Sequence, residues 1–234
     1  MSIEITRFAT RGELTTALVG RLETVLVQAR AASGPLAVML SGGSTPLPAY
    51  RELAARAPAA APHLRVLYSD DRYVPATSES SNYHQTEPLL SALALPPAAI
   101  LRVRTELPLE EAAADYGRQL AALIASGARI PLGLLGLGAD GHTASLFRAE
   151  HLQQARGQLA IAVQRPDGLH GVSATPEFFA HVEEVSFVVT GSGKEAPLRQ
   201  LLRQDAQLTA WAAVQTCPKV TVWLDHEAAA GLSS

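Results

Sequence analysis

The sequence predicts an α/β protein with a doubly wound, mostly parallel sheet flanked by helices, of the Rossmann-like kind. Two observations lead there. Apolar runs without alternation, at 36–40, 64–68, 130–135, 185–189 and 220–224, are the pattern of strands covered on both faces, and segments of helical spacing separate several of them. Several of these runs also end in polar loops bearing glycine, and parallel sheets bind ligands beyond the carboxyl ends of their strands.

Taken in order, 18–32 places Leu18, Leu22, Val25, Leu26 and Ala29 on one helical face and stops at Gly34-Pro35. The strand 36–40 follows. Pro46 suits a first helical position, with Ser44 or Thr45 as the expected N-cap, and that helix runs through Tyr50 and Leu53. After it, the alanine-rich stretch 54–62 reads as a helix end and surface loop. Next come the strand 64–68, one or two helical turns within 87–95, and the clearest helix, 109–126. There Ala112, Tyr116, Leu120 and Leu123 share a face opposite Glu110, Glu111, Asp115 and Arg118. Strands are then expected at 130–135, 159–163, 185–189 and 220–224, with a helix at 196–208 between the last two. No repeat or strong linker divides the chain, so residues 1–234 are expected to form a single α/β domain.

The chain has 234 residues, of which 47% are hydrophobic and 18% charged, with a formal net charge of −3. That balance, with no stripe of Lys and Arg, argues against a nucleic-acid surface, so an anionic ligand must be held by local charges. The one cysteine, Cys217, excludes an intramolecular disulfide and fits a reducing compartment. It lies beside Pro218, with no base near it in sequence, and is not expected to be a nucleophile. Residues 1–14 carry Glu4, Arg7, Arg11 and Glu13 with no long apolar stretch. Neither a signal peptide nor a membrane span is expected, and the expected location is cytoplasmic.

Chemistry concentrates in the strand-end loops. In Ser41-Gly42-Gly43-Ser44-Thr45-Pro46, glycines bare the backbone amides at a helix N-terminus, an arrangement that favours phosphate or an oxyanion; an ordinary tight turn is the alternative. No Gly-Lys-Ser/Thr follows, so this is not a P-loop. Thr190-Gly191-Ser192-Gly193-Lys194 fails that pattern too, leaving Lys194 as a point charge suited to phosphate or, on its own the more common case, a solvated lysine at a helix start. Asp70, Asp71 and Arg72 form either a local ion-pair network or an anion site in which a carboxylate aims Arg72, with Asn82 and Tyr83 on the same wall.

In Gly136-Leu-Gly-Ala-Asp140-Gly-His142-Thr-Ala-Ser-Leu-Phe147, His142 is the natural general base; a buried histidine tied to backbone is the alternative. Asp140 at its far nitrogen would set the tautomer. Ser145 lacks the flanking glycines of a nucleophile elbow, so Thr143 and Ser145 are expected at a helix start. The other histidines have no metal-ligand spacing, and no zinc site is expected.

Together these loops resemble the 6-phosphogluconolactonase family. The stretches that carry the likeness are 40–46, Ser69-Asp-Asp-Arg-Tyr-Val-Pro75 with Ser81-Asn82, 136–147, Val188-Val-Thr-Gly-Ser-Gly-Lys194 and Trp223-Leu-Asp225. The likeness runs over most of the chain. Its Asp-Gly-His-Thr-Ala-Ser-Leu-Phe string is highly specific, whereas Ser-Gly-Gly-Ser-Thr-Pro is shared with related sugar-phosphate isomerases and deaminases. The resemblance implies hydrolysis of 6-phosphoglucono-δ-lactone to 6-phosphogluconate in the oxidative pentose phosphate pathway, without cofactor or metal. His142 and Asp140 would be catalytic. Gly42, Gly43, Ser44, Thr45, Asp71, Arg72 and Lys194 would bind substrate and its phosphate, with the choice of phosphate or oxyanion open for Arg72. It also implies functional pairing with glucose-6-phosphate dehydrogenase and a monomer or weak dimer, with no nucleic acid or membrane as partner.

The chain departs from the family pattern at three places. Asp71 replaces a usual glutamate, Arg148 stands where proline is normal, and Gly171 stands where an arginine is common, with His170, Arg165 or Arg148 as candidate replacements. A sugar-phosphate isomerase or deaminase, and a phosphosugar sensor that does no chemistry, remain the competing readings.

Overall fold

A computed structural model of the chain describes residues 3–56, 58–59, 61–230 and 232. It runs through β1 (Glu4–Arg7), α1 (Arg11–Ala31), β2 (Leu36–Leu40), α2 (Leu47–Ala55), β3 (Leu64–Tyr68), the short β4 (Asp70–Arg72), α3 (Asn82–Ala92), α4 (Leu109–Ala125) and β5 (Arg129–Leu135). Then follow α5 (Ala149–Gln154), β6 (Ala160–Gln164), β7 (His170–Ala174), α6 (Pro176–Phe179), β8 (Val185–Val189), α7 (Glu195–Leu202), α8 (Thr209–Val214), β9 (Val220–Leu224) and α9 (His226–Ala230). Six strands pair in parallel in the order β1-β9-β8-β5-β2-β3. The α/β architecture is therefore the one the apolar runs predict.

Why those runs do not alternate is visible in the packing. Along β2, Leu36, Val38 and Leu40 face one apolar cluster while Ala37 and Met39 face the other. Strand β5 divides in the same way, with Leu132 and Leu134 on one side and Ile130 and Leu135 on the other. The first cluster is closed by Leu18 and Val25 of α1, Tyr50 of α2 and Leu89 of α3; the second by Tyr116 of α4, Leu198 of α7 and Trp211 of α8. With both faces covered, every residue of β2 and β8 is buried, and a polar position has no solvated side to occupy. No helix among the described residues is long and apolar enough to cross a membrane.

Several elements differ from expectation. The strand expected at 159–163 exists as β6, but it pairs antiparallel with β7, which pairs antiparallel with β4 in a second, three-stranded sheet. Helix α1 starts earlier, at Arg11, because the Thr10 hydroxyl caps the Glu13 amide at 3.1 Å and the Glu13 carboxylate accepts from the Ala9 amide at 2.9 Å, a variant of the capping box. Helix α3 starts at Asn82, where Ser81 caps the His84 amide. The expected helix 196–208 breaks at Gln204, which has φ +58° without being glycine, so α7 and α8 are separate.

Helix α2 starts at Leu47 with Pro46 at its cap and no capping side chain; neither Ser44 nor Thr45 serves. Thr143 and Ser145 lie in a turn ahead of α5, not at a helix start. Of the alanine-rich stretch, residues 57 and 60 lie outside the described residues.

The two sheets share one chain passage. A single residue, Ser69, links β3 of the large sheet to β4 of the small one, and its carbonyl accepts from the Ala174 amide of the β7 end at 2.8 Å. The small sheet is thereby anchored at the carboxyl ends of the parallel strands, where the loops after β2 and β5 also emerge.

Candidate active site

The loop after β5 presents His142. Backbone bonds from the Gly138 amide to the His142 carbonyl (2.9 Å) and from the Gly141 amide to the Gly138 carbonyl (3.0 Å) close it into a tight turn. The Asp140 carboxylate then bonds His142 Nδ1 and also accepts the His142 amide at 3.2 Å. A carboxylate only accepts, so Nδ1 carries the hydrogen and Nε2 is left as the base. Partial burial raises the Asp140 carboxyl, but the hydrogen bond and charge of His142 outweigh it and hold the group below the usual carboxylate range. The pair lies against Gly138, where a Cβ would come within 2.1 Å of His142 Nδ1 and 2.5 Å of the Asp140 carboxylate. Only glycine fits there. On the other side the Phe147 ring packs on the imidazole, with centroids 4.4 Å apart.

His142 opens onto a cavity of about 180 Å³ shared with Gly42, Gly43, Asp70, Arg72 and Arg165. Strand β4 supplies Arg72, whose Nη1 donates to the Asn82 side chain at 2.5 Å and to the Ser80 carbonyl at 3.2 Å. Asn82 in turn donates to the Asp70 carbonyl at 2.8 Å and lies where a side chain at Gly42 would project. The two neighbouring carboxylates part company. Asp70 faces the cavity and accepts from the hydroxyls of Ser69 (2.9 Å) and Ser145 (2.6 Å). Asp71 points the other way and closes the N-terminus of α3, accepting from the amides of Arg72, Asn82 and Tyr83 and the Ser81 hydroxyl. Burial pushes its carboxyl up to about 6 against the pull of those bonds.

Of the expected site residues, the fold brings Gly42, Gly43, Arg72 and His142 to one cavity, with Asp140 directly behind His142. Ser44, Thr45, Asp71 and Lys194 do not line it. The first two form a neighbouring cluster: Thr45 shares a 2.9 Å hydroxyl bond with Thr190, and the Ser44 carbonyl accepts Arg11 Nη2 at 2.6 Å. Lys194 is half-buried near Arg11 and Asp225; burial lowers its ammonium, which Asp225 counters and Arg11 reinforces. Asp70, expected as a carboxylate to aim Arg72, and Ser145, expected at a helix start, instead bond one another at the site. Asp70 begins β4 and Ser145 lies in the turn between β5 and α5, so no local pattern joins them.

These loops are the parts by which the chain can be compared with others. A family model described as glucosamine-6-phosphate isomerases/6-phosphogluconolactonase matches residues 9–223. The chain belongs to that family. A protein named 6-phosphogluconolactonase from Rattus norvegicus is 35% identical over 227 residues, covering 89% of this chain and 87% of its own. The one from Homo sapiens is 37% identical over 209 residues, covering 84% and 80%. Among solved structures, 6-phosphogluconolactonase from Thermotoga maritima superposes with a TM-score of 0.82 at 27% identity, covering 96% of this chain and 99% of that one. A monomeric glucosamine-6-phosphate deaminase superposes almost as well, with a TM-score of 0.80 at 16% identity, covering 97% and 99%. The same scaffold thus carries different reactions, and the site has to discriminate among them.

Proposed function

We propose that this chain hydrolyses 6-phosphoglucono-δ-lactone to 6-phosphogluconate. The observation that carries the reading is the Asp140–His142 pair set against Gly138, with Nε2 left as the base beside a cavity that also holds Arg72. Water gives a proton to Nε2 as its oxygen attacks the lactone carbonyl, and the tetrahedral oxyanion is stabilised by the Gly42-Gly43 amides or by Arg72. The intermediate collapses by breaking the bond to the ring oxygen, which takes the proton back from the imidazolium. Asp140 holds the tautomer and offsets the transient charge. Arg72 and Lys194, with Ser44 and Thr45, are the phosphate-binding groups in this reading. A dehydrogenase acting on glucose 6-phosphate would supply the substrate, which is the sense in which the two enzymes pair, and a monomer or weak dimer is the expected state.

The competing deaminase or isomerase chemistry needs a carboxylate free to take a proton from sugar carbon. Asp70 is the carboxylate in the cavity, and two hydroxyl donors already occupy it, which favours the lactonase.

The test is hydrolysis of freshly prepared lactone followed in a pH-stat, corrected for spontaneous opening. Wild-type acceleration well above buffer is expected, reduced about 10²–10⁴-fold by His142→Ala. Near wild-type turnover in that variant, or ammonia release from glucosamine 6-phosphate by the wild type, would overturn the reading.

A further inference from the structure

We propose that Arg165 is a direct ligand for the substrate phosphate, aimed by Ser145 and Asp70, and that the absence of a side chain at Gly171 is what lets it reach the cavity. The proposal rests on the lactonase reading. Arg165 follows the last residue of β6, in the hairpin that its amide closes onto the Leu169 carbonyl at 2.9 Å. From there its side chain crosses Gly171 on β7. A Cβ at that position would stand 3.3 Å from Arg165 Cδ, 3.3 Å from Ser145 Oγ and 3.2 Å from the Asp71 carbonyl. A side chain at 171 would therefore crowd Arg165 and Ser145, which would have to give by a few tenths of an ångström.

The far end of the side chain is held in a defined polarity. The carboxylate of Asp70 can only accept and the guanidinium of Arg165 can only donate. The single hydrogen of the Ser145 hydroxyl must go to Asp70, at 2.6 Å, and its lone pair receives Arg165 Nη1, at 2.9 Å. The guanidinium also lies over the Phe147 ring, 5.1 Å from its centroid, and Phe147 packs against His142. One aromatic side chain thus sets the spacing between the anion-binding group and the base.

The Arg165 side chain is 11% exposed, and a guanidinium so buried must be paired. Asp167 takes Nε and Nη2, at 3.1 and 3.0 Å, from the exposed tip of the same hairpin. Of the five N–H donors on a guanidinium, these contacts and Ser145 leave one on each terminal nitrogen. A donor on each of two neighbouring nitrogens can serve two oxygens of a phosphate, whereas an oxyanion presents one. A phosphate dianion is also a stronger partner for Arg165 than the solvated Asp167 carboxylate.

The experiment compares kcat and KM of the wild type, Arg165→Ala, Arg165→Lys and Ser145→Ala. The substrates are 6-phosphoglucono-δ-lactone and unphosphorylated glucono-δ-lactone, and inorganic phosphate serves as a competitive inhibitor. Arg165→Ala should raise KM for the phosphorylated lactone about ten- to a hundredfold, the worth of a charge-assisted hydrogen bond. It should lower kcat/KM at least tenfold more on the phosphorylated than on the unphosphorylated lactone, and weaken inhibition by phosphate. Arg165→Lys should recover part of the loss, and Ser145→Ala should shift KM in the same direction by less. An unchanged KM, an equal fall on both substrates, or undiminished phosphate inhibition would overturn the proposal. If Arg165→Ala does not fold, as judged by circular dichroism, the lysine variant carries the comparison. A wild type inactive on the phosphorylated lactone would instead remove the lactonase reading itself.

Discussion

Asp71 gives both carboxylate oxygens to the first turn of α3 and to its own neighbours, and pays for that position in desolvation. Its carboxyl is raised from the usual carboxylate value of 3.8 to about 6 in the folded chain. A raised folded value means that the native state binds the proton more tightly than the unfolded chain does. The associated stability is therefore fully present below about pH 4 and is lost as pH rises through about 6. About two pH units correspond to roughly 3 kcal/mol at most. Asp71→Asn removes the titration. The variant loses cap bonds at every pH, so the quantity to follow is the difference from wild type across pH. Denaturant unfolding at pH 4, 5, 6 and 7.5 should show the wild type losing about 2–3 kcal/mol relative to the variant over that range. A flat difference, or one of opposite slope, would show that the amide and hydroxyl donors win over burial.

At the scale of the element, the decisive piece is the turn after β5. A Cβ at Gly138 would overlap both members of the Asp140–His142 pair, so Gly138→Ala must push the imidazole off its place while leaving β5 and its neighbours intact. The expected result is a fall in kcat of about 10²-fold or more, approaching loss of the base itself, with the melting temperature within a few degrees of wild type. Activity near wild type would mean that His142 works from another rotamer. This turn was legible in the sequence because its glycines follow an apolar run and display an Asp and a His two residues apart. The small sheet was not legible in the same way. Strand β4 is Asp70-Asp71-Arg72, with no apolar residue, and β7 is His170-Gly-Val-Ser-Ala174; both are identified by their partners and not by their own pattern. The end of α7 was hidden for another reason, since Gln204 adopts a left-handed conformation that no local residue type announces. The Asp70–Ser145–Arg165 connection joins residues 75 and 20 positions apart, and only the tertiary fold brings them together.

For the molecule as a whole, burial on both faces of the parallel sheet leaves a signal in every central strand, which is why the architecture could be read before any contact was known. The same scaffold serves a deaminase of 16% identity, so the fold constrains where chemistry happens more than which chemistry it is. Cys217 probes how tightly that scaffold is closed. It precedes β9, is fully buried in the core, and its thiol donates to the Phe179 carbonyl at the end of α6, at 3.2 Å. Burial pushes the thiol up to about 12, so at pH 8 only about one part in ten thousand is the reactive thiolate. An aromatic disulfide reagent should therefore leave the native protein unreacted over hours and titrate one thiol per chain in denaturant. Its slow native-state reaction should track global unfolding, because Cys217 becomes accessible only when α6 parts from the segment leading into β9. Rapid stoichiometric labelling of the native protein at low denaturant would show that this corner opens independently, and that the large apolar cluster is not one cooperative unit.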